Sequence, residues 1–415
     1  MSEQIEDLES FRLRARAWIS GNLQRVEHQM MTLRPRPDEE ELAGVARDRE
    51  VQRMLFDAGL AGICVPREYG GQGLTQAHQH ALNKELVGFE YPMRLQVPTM
   101  TPCSAVLQEF GTEEQKKRHL PAILKGEEIW MQFLSEPSGG SDVAGALTSA
   151  TREGDDWVLN GSKIWTTGAW WSDYGLVLAR TNWDVPKHRG LTVFILPIRS
   201  PGVTVSRIEM LNGNREFCQE FLTDVRIPDS ARVGAIDDGW TVGTRWMFHE
   251  RLQHNSPFVT YPNSGGHGSQ RKPVLGLARE AGRGDDPVAR DLVGKSLTLN
   301  FVLEALNRRL GEGMATGVMS DQSAAVGRVF SAHVAERSSS LAFEIADGAG
   351  GAWADSGGQL ADAGTDYLMR QQGSIGGGTT EMARNVVAER VLGMPRERSI
   401  DTSVPFREVP RGATR

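Results

Sequence analysis

The chain has 415 residues, 39% of them hydrophobic and 24% charged, with a formal net charge of -7. That balance describes a globular protein with room for two to three domains and argues against nucleic acid as the main partner. No apolar run approaches a membrane span, and the acidic start from Met1 to Ser10 lacks the basic and apolar blocks of a signal peptide, so a cytoplasmic protein with no membrane partner is expected.

In chain order, residues 5–26 carry Leu8, Phe11, Ala15, Trp18 and Ile19 among charges and read as a helix, as do residues 40–58 and 76–89. Gly111-Thr112-Glu113-Glu114 opens another with a capping residue and early acids, expected to stop before Pro121. A small-residue loop, Ser135-Glu136-Pro137-Ser138-Gly139-Gly140-Ser141-Asp142, then leads into short strands at 150–152, 157–159 and 163–165, the last two joined as a hairpin through Asn160-Gly161. Further strands at 174–178, 191–196, 203–208 and 221–227 predict a compact barrel. Helical periodicity returns at 239–252, 292–310, 324–346 and 380–392. The expected fold is mostly α with a central β-barrel: an N-terminal helical domain (1–128), a middle β domain (129–235), a C-terminal helical bundle (236–396) and a mobile or subunit-contacting tail (397–415).

The loop and its strands carry the first chemical signal. Gly139 and Gly140 let backbone amides approach a ligand, Ser135, Ser141 and Thr167 supply hydrogen bonds, and Trp165 supplies a planar apolar wall. That combination suits a flat heteroaromatic cofactor, and no phosphate-loop lysine follows to suggest a nucleoside triphosphate. Cys64, Cys103 and Cys218 are far apart and form neither a disulfide framework nor a metal motif, and His249, His254 and His267 have the wrong spacing for a zinc helix, so no metal is expected.

Phe133-Leu134-Ser135-Glu136-Pro137 with Gly140-Ser141-Asp142-Val143, the segment from Asn160 to Thr167, and Gly376-Gly377-Gly378-Thr379-Thr380-Glu381 together resemble the acyl-CoA dehydrogenase family in order and spacing, over residues 55–396. The resemblance implies FAD as cofactor and oxidation of an acyl-CoA thioester: a base takes the α-proton while the β-hydrogen leaves as hydride to flavin N5. It places Leu134, Ser135 and Gly140 at the flavin ring, Ser141 near both flavin and acyl-pantetheine, and Trp165 and Thr167 beside the isoalloxazine. Thr379 and Glu381 reach the cofactor from the last motif. Arg279 matches an arginine extended to a neighbouring subunit's FAD, although Gly282 stands where a phenylalanine is usual. Glu344, where relatives often have glutamine, and Gly348 are assigned to the same cofactor site.

The commonest family arrangement puts the base in the loop before the final Gly-Thr, where this chain has Gly377. A second arrangement puts it on the first helix after the barrel, directly before an arginine, and here that position reads His249-Glu250-Arg251. Glu250 is therefore the expected base, with Trp246 and Met247 on its helical face. Ser141, Arg251 and Gly377 fall on the substrate side. Phe248 stands where some relatives have an aspartate for the pantetheine. Between His254 and Arg290 relatives continue a helix, whereas this chain is broken by Pro257, Pro262, Gly265, Gly266, Gly268 and Pro273. The loop from Tyr261 to Gly268 is expected to border the acyl pocket and widen it for a bulky or ring-containing group. The implied partners are the acyl-CoA, an electron-transfer flavoprotein or similar acceptor, and further subunits in a homotetramer or mixed oligomer. Two alternatives stay open: a flavin oxidase or monooxygenase on the same fold, and a partner subunit of a mixed tetramer.

Overall fold

The computed structural model describes residues 5–26, 35–252, 256–262, 274–351, 359–399 and 401–410. They form two units, Met1–Glu209 with Arg215–Ser264 and Ser399–Arg415, and Met210–Asn214 with Gly265–Arg398.

In the first unit, α1 (Leu8–Asn22) starts where the Asp7 carboxylate accepts the amides of Glu9 and Ser10, and it buries Phe11, Ala15 and Ile19 at helical spacing. It packs with α2 (Asp38–Asp57) and α3 (Gln76–Glu85) around Leu55, Leu60 and Leu82. The short α4 (Met93–Leu95) leads through a wide-turn segment, Gln96–Cys103, into α5 (Ser104–Phe110). A Thr112–Gln115 capping box opens α6 (Glu113–Leu124). This helix does not stop before Pro121. Leu120, Ile123 and Leu124 are buried around the proline ring, and their packing outweighs one lost backbone bond.

The strands are β1 (Trp130–Phe133), β2 (Ser149–Glu153), β3 (Asp156–Thr167), β4 (Tyr174–Arg180), β5 (Leu191–Pro197), β6 (Val203–Arg207), β7 (Phe217–Pro228) and β8 (Arg232–Val233). They make one sheet of eight strands in the order β6-β7-β3-β2-β4-β5-β8, with β1 parallel on β4. The expected barrel does not close: among the described residues β6 and β8 end the sheet unpaired with each other, and β2 and β4 join through the single pair Ser149↔Arg180. The sheet instead folds over. One face of β1, β4 and β5 (Trp130, Leu176, Leu178, Val193, Ile195) meets the helices, and the other (Met131, Phe133, Val177, Phe194, Leu196) meets Trp157, Leu159, Leu222 and Val225 of β3 and β7.

The expected hairpin at Asn160-Gly161 is also corrected. β3 runs unbroken past it, and the turn lies between β2 and β3 at Gly154-Asp155. Asn160-Gly161 is a bulge against β7, where the register skips between Leu159 and Gly161. Gly161 sits at φ 152°, and a Cβ there would lie 2.6 Å from the Thr148 hydroxyl, so only glycine fits.

After the sheet, α7 (Gly239–Leu252) packs on β5, α5 and Gln96–Cys103, all within the first unit. Residues 256–261 then turn inward: Ser256, Val259 and Thr260 are buried, the Gln96 Oε1 accepts the Thr260 amide at 2.8 Å, and the Asn83 side chain bonds Tyr261 N and Val259 O. His254 and residues 263–268 of the expected loop lie outside the described residues. The tail also docks on its own chain. Phe406 is buried with the Arg180 guanidinium 3.6 Å above its ring, and its amide and that of Arg407 donate to Val185 and Trp183 carbonyls.

The second unit is helical: α8 (Val274–Glu280), α9 (Pro287–Ala315), α10 (Ala324–Ala346), α11 (Gln359–Met369), α12 (Gln372–Ile375) and α13 (Thr380–Val386), the last continuing as a wider turn, Val387–Val391. Leu292, Val293, Leu341, Ile345 and Ala363 form its core.

One buried ion pair ties the loop after β1 to β3. Lys163 is fully buried, with Nζ 2.8 Å from Glu136 Oε1 and 3.2 Å from the Leu134 carbonyl. Glu136 also accepts the amides of Leu147 at 2.6 Å and Thr148 at 3.0 Å. Burial alone would raise its pKa, but the Lys163 charge and hydrogen bond bring it below the ordinary range. Glu220, buried beside the same lysine and taking a hydrogen bond from Thr166 at 2.9 Å, is pushed by burial up to about 8. Lys163 thus pairs with Glu136, while burial favours the neutral form of Glu220. Glu136→Gln should therefore cost about 3–5 kcal/mol, because it strands a buried cation, whereas Glu220→Gln, which keeps the neutral form, should not destabilise the protein at pH 7. Because the folded pKa of Glu220 lies above the unfolded value of about 4.5, its ionisation erodes stability as pH rises from there toward 8, so Glu220→Gln should gain on wild type over that range. Urea unfolding at pH 6 and pH 8 checks both, and a larger loss for Glu220→Gln would reverse the charge assignment.

Candidate active site

The loop after β1 is held against the end of β3 by three bonds: Lys163 to the Leu134 carbonyl and the Glu136 carboxylate, and Ile164 N to the Ser135 carbonyl at 3.0 Å. Ser135 is half-buried, and a Cβ on Gly140 would lie 3.5 Å from its hydroxyl, so Gly140 lies open beside Ser135. Ser141 is exposed, and Asp142 is anchored by Lys187, which also holds Asp401 of the tail at 2.6 Å.

A second shift in the β3–β7 register, between Ile164 and Thr166, puts Trp165 at φ 66°. A bulky aromatic in the left-handed region costs on the order of 1–3 kcal/mol. Its indole is nonetheless 53% exposed, steadied by the Phe217 ring edge at 6.0 Å. Thr166 points inward to Glu220 while Thr167 is half-buried. The structure thus brings Leu134, Ser135 and Gly140 together with Trp165 and Thr167. A strained, exposed indole plane beside hydroxyls and a side-chain-free glycine fits a flat heterocyclic ring, the isoalloxazine included.

On α7, Trp246 is fully buried and Met247 half-buried, packed with Met100, Cys103, Trp130 and Leu134. Glu250 follows one turn later, half-buried, and its carboxyl is deep enough for burial to raise its pKa; the side-chain amide of Gln132, acting as donor, and the Arg251 charge oppose the rise. The Cys103 thiol lies close by: burial pushes it up, and the Glu250 charge adds to this. His249 faces elsewhere, with Nε2 2.7 Å from Glu109 Oε1 and Arg245 forked onto the same carboxylate. Phe248 and Arg251 are exposed. Among the described residues no group of histidine, cysteine and acids is arranged to hold a metal.

In the second unit, Thr379 caps α13 by accepting the Met382 amide at 3.2 Å, and Glu381 is exposed beside Arg384 at 3.1 Å. Gly377 and Gly378 sit at φ 67° and 98°, and Arg328 holds this loop through the carbonyls of Gly373, Gly376 and Gly378 at 2.8 to 2.9 Å. Thr380 and Glu381 open onto a groove of about 740 Å³ floored by Val329 and Phe330. Arg279 is exposed on α8, Glu344 is exposed on α10 at 3.6 Å from Arg337, and Gly348 lies in the short turn Asp347–Gly351. Gln132, Lys163 and Arg328 were not singled out from the sequence. For Gln132 a signal existed: it interrupts the apolar face shared by Trp130 and Leu134.

Residues 6–127 match the N-terminal domain of acyl-CoA dehydrogenases and residues 132–225 their middle domain. The chain is 32% identical to acyl-CoA dehydrogenase IpdE1 of Mycobacterium tuberculosis over 401 residues, 95% of this chain and 99% of that protein. Against IpdE1 of Mycolicibacterium smegmatis the identity is 31%, covering 94% and 99%. Among solved structures, the Tcur3481-Tcur3483 steroid ACAD superposes with a TM-score of 0.73 at 28% identity, covering 94% of this chain and 98% of that one. The ChsE4-ChsE5 complex from Mycobacterium tuberculosis gives 0.69 at 25% identity, covering 96% and 100%. Sequence motifs, fold and relatives agree, and the chain belongs to the acyl-CoA dehydrogenase family of oxidoreductases.

Proposed function

We propose that the chain binds FAD and dehydrogenates an acyl-CoA thioester across its α and β carbons, with Glu250 as the base. The observation that carries the reading is the setting of Glu250: a carboxyl whose pKa burial raises, on the apolar face of α7, beside the strand whose end presents Leu134 and Ser135. Leu134, Ser135, Gly140, Trp165 and Thr167 would hold the ring, with Ser141 and Arg251 on the thioester side. Thr379, Glu381, Arg279, Glu344 and Gly348 would reach the remainder of a cofactor, and Gly377 would border the thioester, by family register. Bound FAD supplies the hydride acceptor. The protein's part is to hold the thioester in place, exclude water and take the α-proton onto a Glu250 oxygen, work suited to a carboxylate whose pKa lies above its ordinary value.

Two further features refine the reading. The inward course of residues 256–261, with Phe258 packed near Trp246 and Met247, ends α7 early, and a solved relative is named as a steroid ACAD; both support a bulky, ring-containing acyl group. Relatives named as two-protein complexes support a mixed oligomer over a homotetramer, with an electron-transfer flavoprotein or similar acceptor. No helix among the described residues is long and apolar enough to cross a membrane. The partner-subunit alternative draws on Gly377, Gly282 and Glu344; purification without flavin, regained only with a second chain, would favour it.

Glu250→Gln, with flavin and acyl-CoA binding retained, should slow flavin bleaching by substrate about 10²–10⁴-fold, read anaerobically by stopped-flow absorbance; bleaching at the wild-type rate would sink the assignment. The base acts ionised and its pKa is raised, so the bleaching rate should fall as pH drops through a point above the ordinary glutamate value of 4.5. Across a panel of acyl-CoAs, ring-containing substrates should give the higher kcat/KM, and a clear preference for short linear chains would contradict the wide pocket.

A further inference from the structure

We propose that Gln132 is the positioning residue of Glu250, locked in orientation by the indole of Trp246. This rests on the assignment of Glu250 as base. Alternation along β1 turns Trp130 and Gln132 toward α7 and Met131 and Phe133 toward the opposite core, so Gln132 is a half-buried amide on an otherwise apolar face. Trp246 Nε1 can only donate, and it lies 2.6 Å from Gln132 Oε1. That bond fixes which end of the amide faces the indole and leaves the NH₂ end for the carboxyl. Trp246 and Glu250 are four residues apart on one face of α7, so with its oxygen on the indole the amide has its NH₂ end left for the turn that carries Glu250. The indole is fully buried and cannot swing aside.

A neutral donor aimed at a carboxylate does two things. It restricts the rotamers the carboxyl can take, and it favours the ionised form against burial. Among the described residues, the other groups near Glu250 do not duplicate this role. Arg251, on the same helix, is exposed and screened; Cys103 of Gln96–Cys103 is a weak donor; β4 and β5 present Leu176, Val193 and Ile195; and Glu109 of α5 is engaged by Arg245 and His249.

The test compares Gln132→Met, which keeps length and removes both polar ends, with Trp246→Phe, which keeps an aromatic core residue and removes the donor. Gln132→Met should lower the rate of flavin reduction about tenfold at neutral pH, leave KM within about threefold, and move the acidic limb of the pH profile up by about one unit. Trp246→Phe should move it the same way by less. A second readout needs no turnover: the Glu250 carboxyl stretch, isolated as the infrared difference between wild type and Glu250→Gln in the protein as purified, should titrate at higher pH in Gln132→Met. A uniform loss of rate with both midpoints in place would show a structural role only and overturn the inference. Glu250→Gln that reduces flavin normally would overturn the base assignment itself, a separate outcome. Should Gln132→Met fail to fold, Trp246→Phe decides by the same two midpoints.

Discussion

A lysine that never meets water organises the ligand-facing edge of the sheet. Buried Lys163 requires a carboxylate, and the one that reaches it, Glu136, comes from the loop after β1, so that loop has to fold across the end of β3. The Leu134 carbonyl takes a second Lys163 proton and the Ser135 carbonyl takes the Ile164 amide. Leu134, Ser135, Trp165 and Thr167 share a neighbourhood because of this single charge. The remaining carboxyl nearby, Glu220, is pushed by burial up to about 8 despite the Lys163 charge, and it is hydrogen-bonded to the Thr166 beneath Trp165. Trp165 thus sits above the Thr166–Glu220 bond with its backbone strained and its ring exposed.

What the sequence made legible was whatever depended on short-range pattern. The bounds of α7 and α10 follow from helical periodicity, and the three motifs that fix the family lie in contiguous stretches. The errors came where distant segments decide. Asn160-Gly161 has the chemistry of a hairpin turn, but pairing along β7 keeps β3 extended and converts those residues into a bulge. Barrel closure depends on whether β6 and β8 meet, which no local pattern records. The proline-broken stretch after α7 read as a loop, yet its inward course at 256–261 is set by Asn83 and Gln96, far away in the chain. Phe406 docks through Arg180 and the carbonyls of Trp183 and Val185 in the same way. In the candidate site, Glu250 and Trp165 are proposed from register, whereas Lys163 and Gln132 look like ordinary strand residues. Their importance lies in what they touch across the fold.

Glu220 and Glu250 are both raised by burial, and their surroundings separate what each can do. Glu220 has no exposed surface and one hydroxyl donor, so its proton has no route to a ligand. Glu250 is half-buried and sits in the last turn of α7, which ends at Leu252. Burial disfavours the ionised form of this proposed base, and the polar group on the facing strand that opposes burial is Gln132, itself held by Trp246 one turn earlier. The early end of α7 then has a second consequence. Turning the chain inward at 256–261 buries Val259 and Thr260 against the N-terminal unit's Gln96 and Asn83. The inward course of 256–261 is held by packing and by the hydrogen bonds of Asn83 and Gln96.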